Sequence, residues 1–190
     1  MLLLTSFDTW LPSQESNSSE DLLQALTHRW HTKASTPPQA WTILHRLPVD
    51  TDRAFAQIRT GIDRHQPQWV VCCGMAESRT DLTLEWQAKK GNQILRTGLD
   101  LAALSKNLSG VCLSEDAGNF VCNALYFELL HWLQSLQDPG IQEIPNLPST
   151  LNRPNIQALF VHVPPLVGTV QIPEILDRFE QILTRIESNF

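Results

Sequence analysis

No stretch of this 190-residue chain approaches the roughly 20 consecutive apolar residues of a membrane-spanning helix. Its opening, MLLLTSF, is a short apolar run with no basic residues before it, too little for a secretory leader. The expectation is a cytoplasmic protein without a membrane partner. Basic residues are scarce as well: 14 Lys and Arg stand against 20 Asp and Glu, a formal charge of −6 at pH 7. Because they are also scattered, no track exists along which a phosphate backbone could be neutralised, which disfavours nucleic acid as a partner. The four cysteines, Cys72, Cys73, Cys112 and Cys122, lack the C-x-x-C pairs of a zinc site, and a cytoplasmic setting argues against structural disulfides. Reduced thiols are expected. No internal repeat is present.

What the chain does have is alternation. Short β-like runs, MLLLTSF, AWTILHRLPV and QWVVCCG, are separated by helical stretches from about Ser19 to His31 and from Thr51 to His65. Leu22, Leu23 and Leu26 make the apolar face of the first helix, and Ser18 or Ser19 is its expected N-cap. Phe55, Ile58 and Ile62 repeat the pattern in the second. From Arg79 to Ala88, Leu82, Leu84 and Trp86 alternate with Thr83 and Glu85, predicting one strand with Glu85 on the face opposite the leucines. A helix from about Leu99 to Lys106, a buried strand at GVCLS and a helix running to about Gln137 follow, the last ended by the Asp138-Pro139-Gly140 turn. Residues 140–155, with Pro145, Pro148 and Pro154, read as a proline-rich loop insertion. The strand NIQALFVHVPP and an amphipathic helix from Pro173 to Ile186 complete the chain. With 42% apolar residues there is enough for one core. The expected fold is a single three-layer α/β/α domain over residues 1–190, with a mixed, mostly parallel central sheet.

One stretch stands out, SEDAGNFVCNALYFELLHWL from Ser114 to Leu133. It sets Cys122 in the first turn of a helix, where free N–H groups and the helix dipole favour a thiolate. Glu85 and His162 occupy comparable positions near the ends of their strands. A thiol, an imidazole and a carboxylate are the types that nucleophilic catalysis requires: the imidazole takes the thiol proton and the carboxylate holds the imidazole. Each also has an inert reading, Cys122 as apolar packing, His162 as a structural hydrogen-bonding residue and Glu85 as part of a solvated strand face.

A resemblance narrows the choice. Ala117-Gly118 followed by Phe120-Val121-Cys122-Asn123 is similar to the nucleophile signature of the pyroglutamyl peptidase I (pyrrolidone carboxyl peptidase) family. Phe160-Val161-His162-Val163-Pro164 resembles that family's histidine motif, and Gly74, Ala76, Arg79 and Glu85 resemble its G-x-A-x-x-R…E pattern. Thr5-Ser6-Phe7-Asp8-Thr9-Trp10, with Asn17-Ser18-Ser19, is similar to its N-terminal segment. The resemblance implies removal of an N-terminal pyroglutamyl residue from a peptide through a thioester, without cofactor or metal. It implies Cys122 as nucleophile, His162 as base and then acid, and Glu85 as the orienter of His162. For the substrate ring it implies Phe7 and Trp10 as aromatic walls, Asn17, Phe120 and Val121 along the pocket, and Met75 as a backbone contact. The expected partner is a peptide with a blocked N-terminus, and since family members often associate, a homo-oligomer is a further expectation.

The chain departs from the family pattern at Leu11 and Pro12, where glycines are usual, at Trp86 and Lys90, and in a shortened segment after Glu85. Arg96 is a candidate stand-in for the arginine replaced by Trp86. A non-catalytic member that binds a peptide or protein partner is therefore the alternative to an active peptidase.

Overall fold

The first strand, β1 (Leu2–Phe7), is buried along its whole length, as an apolar run flanked by strands on both sides must be. Around it the computed structural model, which describes residues 1–32, 41–137, 155–166 and 171–188, arranges a six-stranded sheet. The strands besides β1 are β2 (Trp41–Leu47), β3 (Trp69–Met75), β4 (Leu82–Glu85), β7 (Val111–Ser114) and β8 (Gln157–Val163), in the order β2-β1-β3-β8-β4-β7. All neighbouring pairs are parallel except β4 with β8. The mixed, mostly parallel α/β/α expectation is met.

Alternating side chains send two apolar sets to opposite faces. On one face, Leu2, Leu4, Leu82, Leu84 and Val161 pack under α1 (Ser18–Thr32), α3 (Leu101–Ser105) and α5 (Gln171–Ser188). On the other, Leu3, Val70, Cys72 and Phe160 pack under α2 (Thr51–His65) and α4 (Val121–Gln137). Burying 33 Leu, Ile, Val and Phe side chains among the described residues, at roughly 1.5–3 kcal/mol each, supplies the opposing term to chain entropy. Local signals fix where helices start: Asp50 accepts from the N–H of Arg53 at α2, and Asp100 from that of Ala103 at α3.

Several boundaries differ from the sequence expectation. The cap of α1 is Asn17, whose Oδ1 accepts from the N–H and hydroxyl of Ser19, so the serines lie inside the helix. The strand read through Ala88 stops at Glu85. Gln87–Lys90 turns away as β5 and pairs antiparallel with β6 (Gln93–Arg96) in a hairpin of its own, held to α4 by Asn123, which exchanges hydrogen bonds of 2.9 and 2.8 Å with the backbone of Lys89. GVCLS is not buried. It forms β7 at the sheet edge, and Cys112 and Leu113 are exposed. The Asp138-Pro139-Gly140 turn and the proline-rich stretch through residue 154 lie outside the described residues. Among the described residues, no helix is long and apolar enough to cross a membrane.

Candidate active site

Three parallel strands, β1, β3 and β8, end side by side, and Phe7, Met75 and His162 at those ends floor a cleft of about 440 Å³. Open α/β sheets place their sites at such strand ends. Trp10, Asn17, Arg79, Asp116, Phe120, Val121 and Cys122 line the rest. Every expected site residue except Glu85 thus faces one cavity.

Gly74 is what admits the cysteine. It pairs directly with His162 across β3 and β8, and a Cβ on it would come within 2.8 Å of the Cys122 sulfur and 2.9 Å of the Phe160 ring. Gly74 and His162 are register partners on neighbouring strands about 4.8 Å apart, so the sulfur over Gly74 and the imidazole share one face of the sheet. The turn that delivers it runs Ser114 to Phe120. Asp116 N–H donates to Ser114 Oγ at 2.9 Å, and Gly118 takes a φ of 81°, in the left-handed region that L side chains avoid. Phe120 O then accepts from the N–H of Ala124, which leaves the first N–H groups of α4 without intrahelical acceptors.

Glu85 sits behind this floor. It is fully buried, on the face opposite Leu82 and Leu84 as the alternation requires, and its Oε1 lies 2.8 Å from His162 Nδ1. A carboxylate only accepts, so Nδ1 carries the proton and Nε2 is the nitrogen left with a free lone pair. Tyr126 donates its hydroxyl to the Glu85 carbonyl at 3.1 Å, and Phe160 lies against the imidazole with ring centroids 5.0 Å apart. The solvated-face reading of Glu85 is overturned by its burial.

The thiol itself differs from expectation. Burial pushes Cys122 up to about 12; its own backbone N–H opposes this, while electrostatic interaction with Cys72 and Glu85 adds to it. The Cys122 side chain is therefore held as a neutral thiol, not the thiolate suggested by its place at a helix start. Cys72 and Cys73 are wholly buried, with burial pushing the Cys72 thiol up to about 12 and Cys73 well above the ordinary range, as strand packing predicts.

The aromatic residues divide into floor and rim. Phe7 is 2% exposed, whereas Trp10 and Phe120 are 43% and 67% exposed and meet edge to face at 5.5 Å. Gln14 accepts from the Trp10 N–H and reaches toward the sulfur of Met75. The Asn17 amide is already committed, to Ser19 and to the carbonyl of Asp8, so its part in the cleft is to hold the β1–α1 connection. Arg96 does not take the place left by Trp86, because it pairs with Gln87 and Glu115 away from the cleft lining. Trp41 and Trp132 are partly buried against the two cores. Among the described residues, no three His, Cys, Asp or Glu side chains are grouped to hold a metal ion.

No protein-family model matches the chain. It is similar to the pyrrolidone-carboxylate peptidase of Bacillus thuringiensis, at 27% identity over 77% of this chain and 79% of the relative. It is similar to the enzyme of the same name from Gloeobacter violaceus, at 28% identity over 73% of this chain and 81% of the relative. Among solved structures it superposes on pyroglutamyl peptidase I of Bacillus amyloliquefaciens with a TM-score of 0.70 at 20% identity, covering 96% of this chain and 92% of the other. For the pyrrolidone carboxyl peptidase of Fervidobacterium islandicum the TM-score is 0.71 at 17% identity, with 98% of each chain covered. The fold is the one these structures share.

Proposed function

We propose that this chain, similar to the pyrrolidone-carboxylate peptidases and sharing the fold of pyroglutamyl peptidase I, is a cysteine exopeptidase. Its substrate is a peptide blocked by an N-terminal pyroglutamyl or similar small cyclic residue. The single observation that carries this reading is the seat of the Cys122 sulfur over Gly74, the strand partner of His162, whose far nitrogen bonds to buried Glu85.

In the proposed reaction, the substrate carbonyl lies over Cys122. His162 Nε2 takes the thiol proton as sulfur attacks, which suits a thiol that burial keeps neutral until substrate arrives. Glu85 stabilises the imidazolium so formed. The unpaired N–H groups at the start of α4 face the developing oxyanion. The tetrahedral species expels the amine of the peptide, which receives the proton from His162, and a thioester remains on Cys122. Water then attacks the thioester, giving its proton to His162, and the acyl group leaves while the sulfur regains its proton. Phe7 below with Trp10 and Phe120 at the rim offer aromatic surface to an uncharged lactam ring. Retention of all three reactive groups in one buried arrangement supports catalysis over a purely binding role.

The test is hydrolysis of a pyroglutamyl-aminocoumarin amide by the wild-type protein and by Cys122→Ala. Turnover is expected from the first and none above background from the second. Equal rates, or no turnover by the wild type, would reject the proposal.

A further inference from the structure

Arg79 is the one cationic side chain lining the described cleft, and its partners come from both halves of the reactive set. Nη2 donates to Ser114 Oγ and to the carbonyl of Asp116, each at 3.1 Å, in the turn that leads to Cys122. The same nitrogen lies 3.6 Å from Glu85 Oε1, the oxygen that holds His162. Glu85 is fully buried, and its other oxygen, Oε2, has no hydrogen-bond partner among the described residues. A buried carboxylate so sparsely bonded depends on nearby positive charge to stay ionised.

We propose that Arg79 is a positioning residue that couples the Glu85–His162 pair to the turn carrying Cys122, fixing both the charge of the pair and the height of the nucleophile above it. This rests on the peptidase reading for its consequences in turnover, and on geometry alone for its consequences at the thiol. The groups facing the cluster are Glu77 and Asp116 from the loops, His162 from β8, Cys122 and Tyr126 from α4. All but His162 are neutral or acidic, so no other cation from these elements replaces the guanidinium. A lysine would restore the charge but, with its nitrogen one atom nearer the backbone on a flexible stem, not the rigid placement of Nη2 against Ser114 and Asp116.

The experiment compares Arg79→Met and Arg79→Lys with the parent in a Cys112→Ser background, which removes the exposed thiol. Two readouts are followed: the pH profile of kcat/KM on the pyroglutamyl-aminocoumarin amide, and the rate of Cys122 alkylation by iodoacetamide. With the cation gone, the protonated, non-basic form of the His162–Glu85 pair is favoured. Arg79→Met is therefore expected to move the acid limb of kcat/KM upward by about half to one pH unit and to lower the plateau about tenfold or more. The uncompensated charge of Glu85, which already disfavours the Cys122 thiolate, is expected to slow alkylation at pH 8–9 by about threefold or more. Arg79→Lys is expected to return the limb and the alkylation rate while leaving the plateau reduced. If the plateau falls but limb and alkylation rate stay at parental values, Arg79 is only structural and the proposal is overturned. The same holds if Arg79→Lys shifts the limb as far as Arg79→Met. If the parent shows no turnover at all, the peptidase reading fails, and the alkylation rates alone decide on Arg79. Should Arg79→Met not fold, as judged by thermal denaturation, the proposal stands or falls on Arg79→Lys, for which an unchanged plateau overturns it.

Discussion

His162 Nδ1 and Glu85 Oε1 meet at 2.8 Å across β8 and β4, the antiparallel neighbours of an otherwise parallel sheet. The reversal brings Glu85 opposite Phe160, one alternation below His162, so the carboxylate reaches the imidazole from beneath while the cleft side stays open. Glu85→Gln preserves the shape of this contact and removes its charge. Without a carboxylate to stabilise the imidazolium, kcat on the pyroglutamyl amide is expected to fall about a thousandfold, with KM nearly unchanged. A loss smaller than about tenfold in steady-state kinetics would remove Glu85 from the proposed machinery.

Gly74 sets the distance between the sheet and the Cys122 sulfur. Gly74→Ala puts a methyl 2.8 Å from the Cys122 sulfur and 2.9 Å from the Phe160 ring, with both neighbours embedded in the packing under α4. Something must shift, and the sulfur is the more mobile of the two. Turnover is expected to drop about a hundredfold or more, whereas unfolding in denaturant should show a cost of only about 1–3 kcal/mol. If the variant is as active as the parent, the sulfur does not work from its seat over Gly74.

Trp10 and Phe120 stand at the rim in edge-to-face contact, one on the β1–α1 connection and the other directly before α4. If they grip the substrate ring, their contribution is uniform binding made before and during bond breaking. Trp10→Ala is then expected to raise KM about tenfold and to leave kcat within a factor of about three. A lower KM in this variant would mean that the indole obstructs the ring and does not hold it.

The helix of Cys122, the strand of His162 and the face of Glu85 were legible because each depends on local periodicity, which burial of one face enforces. The edge position of β7 was not, since Val-Cys-Leu reads alike in a central strand and at an edge, and strand order is decided by contacts far apart in sequence. The hairpin at β5 and β6 was missed for a related reason. Gln87 and Ala88 continue the alternation of β4, and only the pairing with β6 across Gly91-Asn92 shows that the chain has left the main sheet. The state of the Cys122 thiol was misjudged on magnitude. A helix N-terminus is worth about 0.3–1 kcal/mol to a negative charge, and removal of that charge from water costs several times more. The roles of Gly74 and Arg79 lie in close approaches between segments that no single stretch displays.

Glu20 ties together the ends of three elements behind the floor of the cleft, and it carries the clearest pH dependence. It is 6% exposed, and it accepts from Ser6 at the end of β1, Gln24 in α1 and His45 in β2, with Arg46 at 3.6 Å. Burial pushes its carboxyl up, but the hydrogen bonds from Ser6, Gln24 and His45 together outweigh burial and hold it below the ordinary 4.5. A carboxylate lowered on folding stabilises the native state above its unfolded value, and this contribution is lost as pH falls through the folded one. Glu20→Gln is therefore expected to cost about 1–3 kcal/mol at pH 7, where the charge-assisted bonds are complete. The gap between variant and parent should begin to close below 4.5, where the unfolded carboxyl takes up its proton, and be gone once pH has fallen through the lower folded value. Urea unfolding of both proteins from pH 7 down to pH 3 checks this. A gap that stays constant through that range would assign the loss to packing and not to charge.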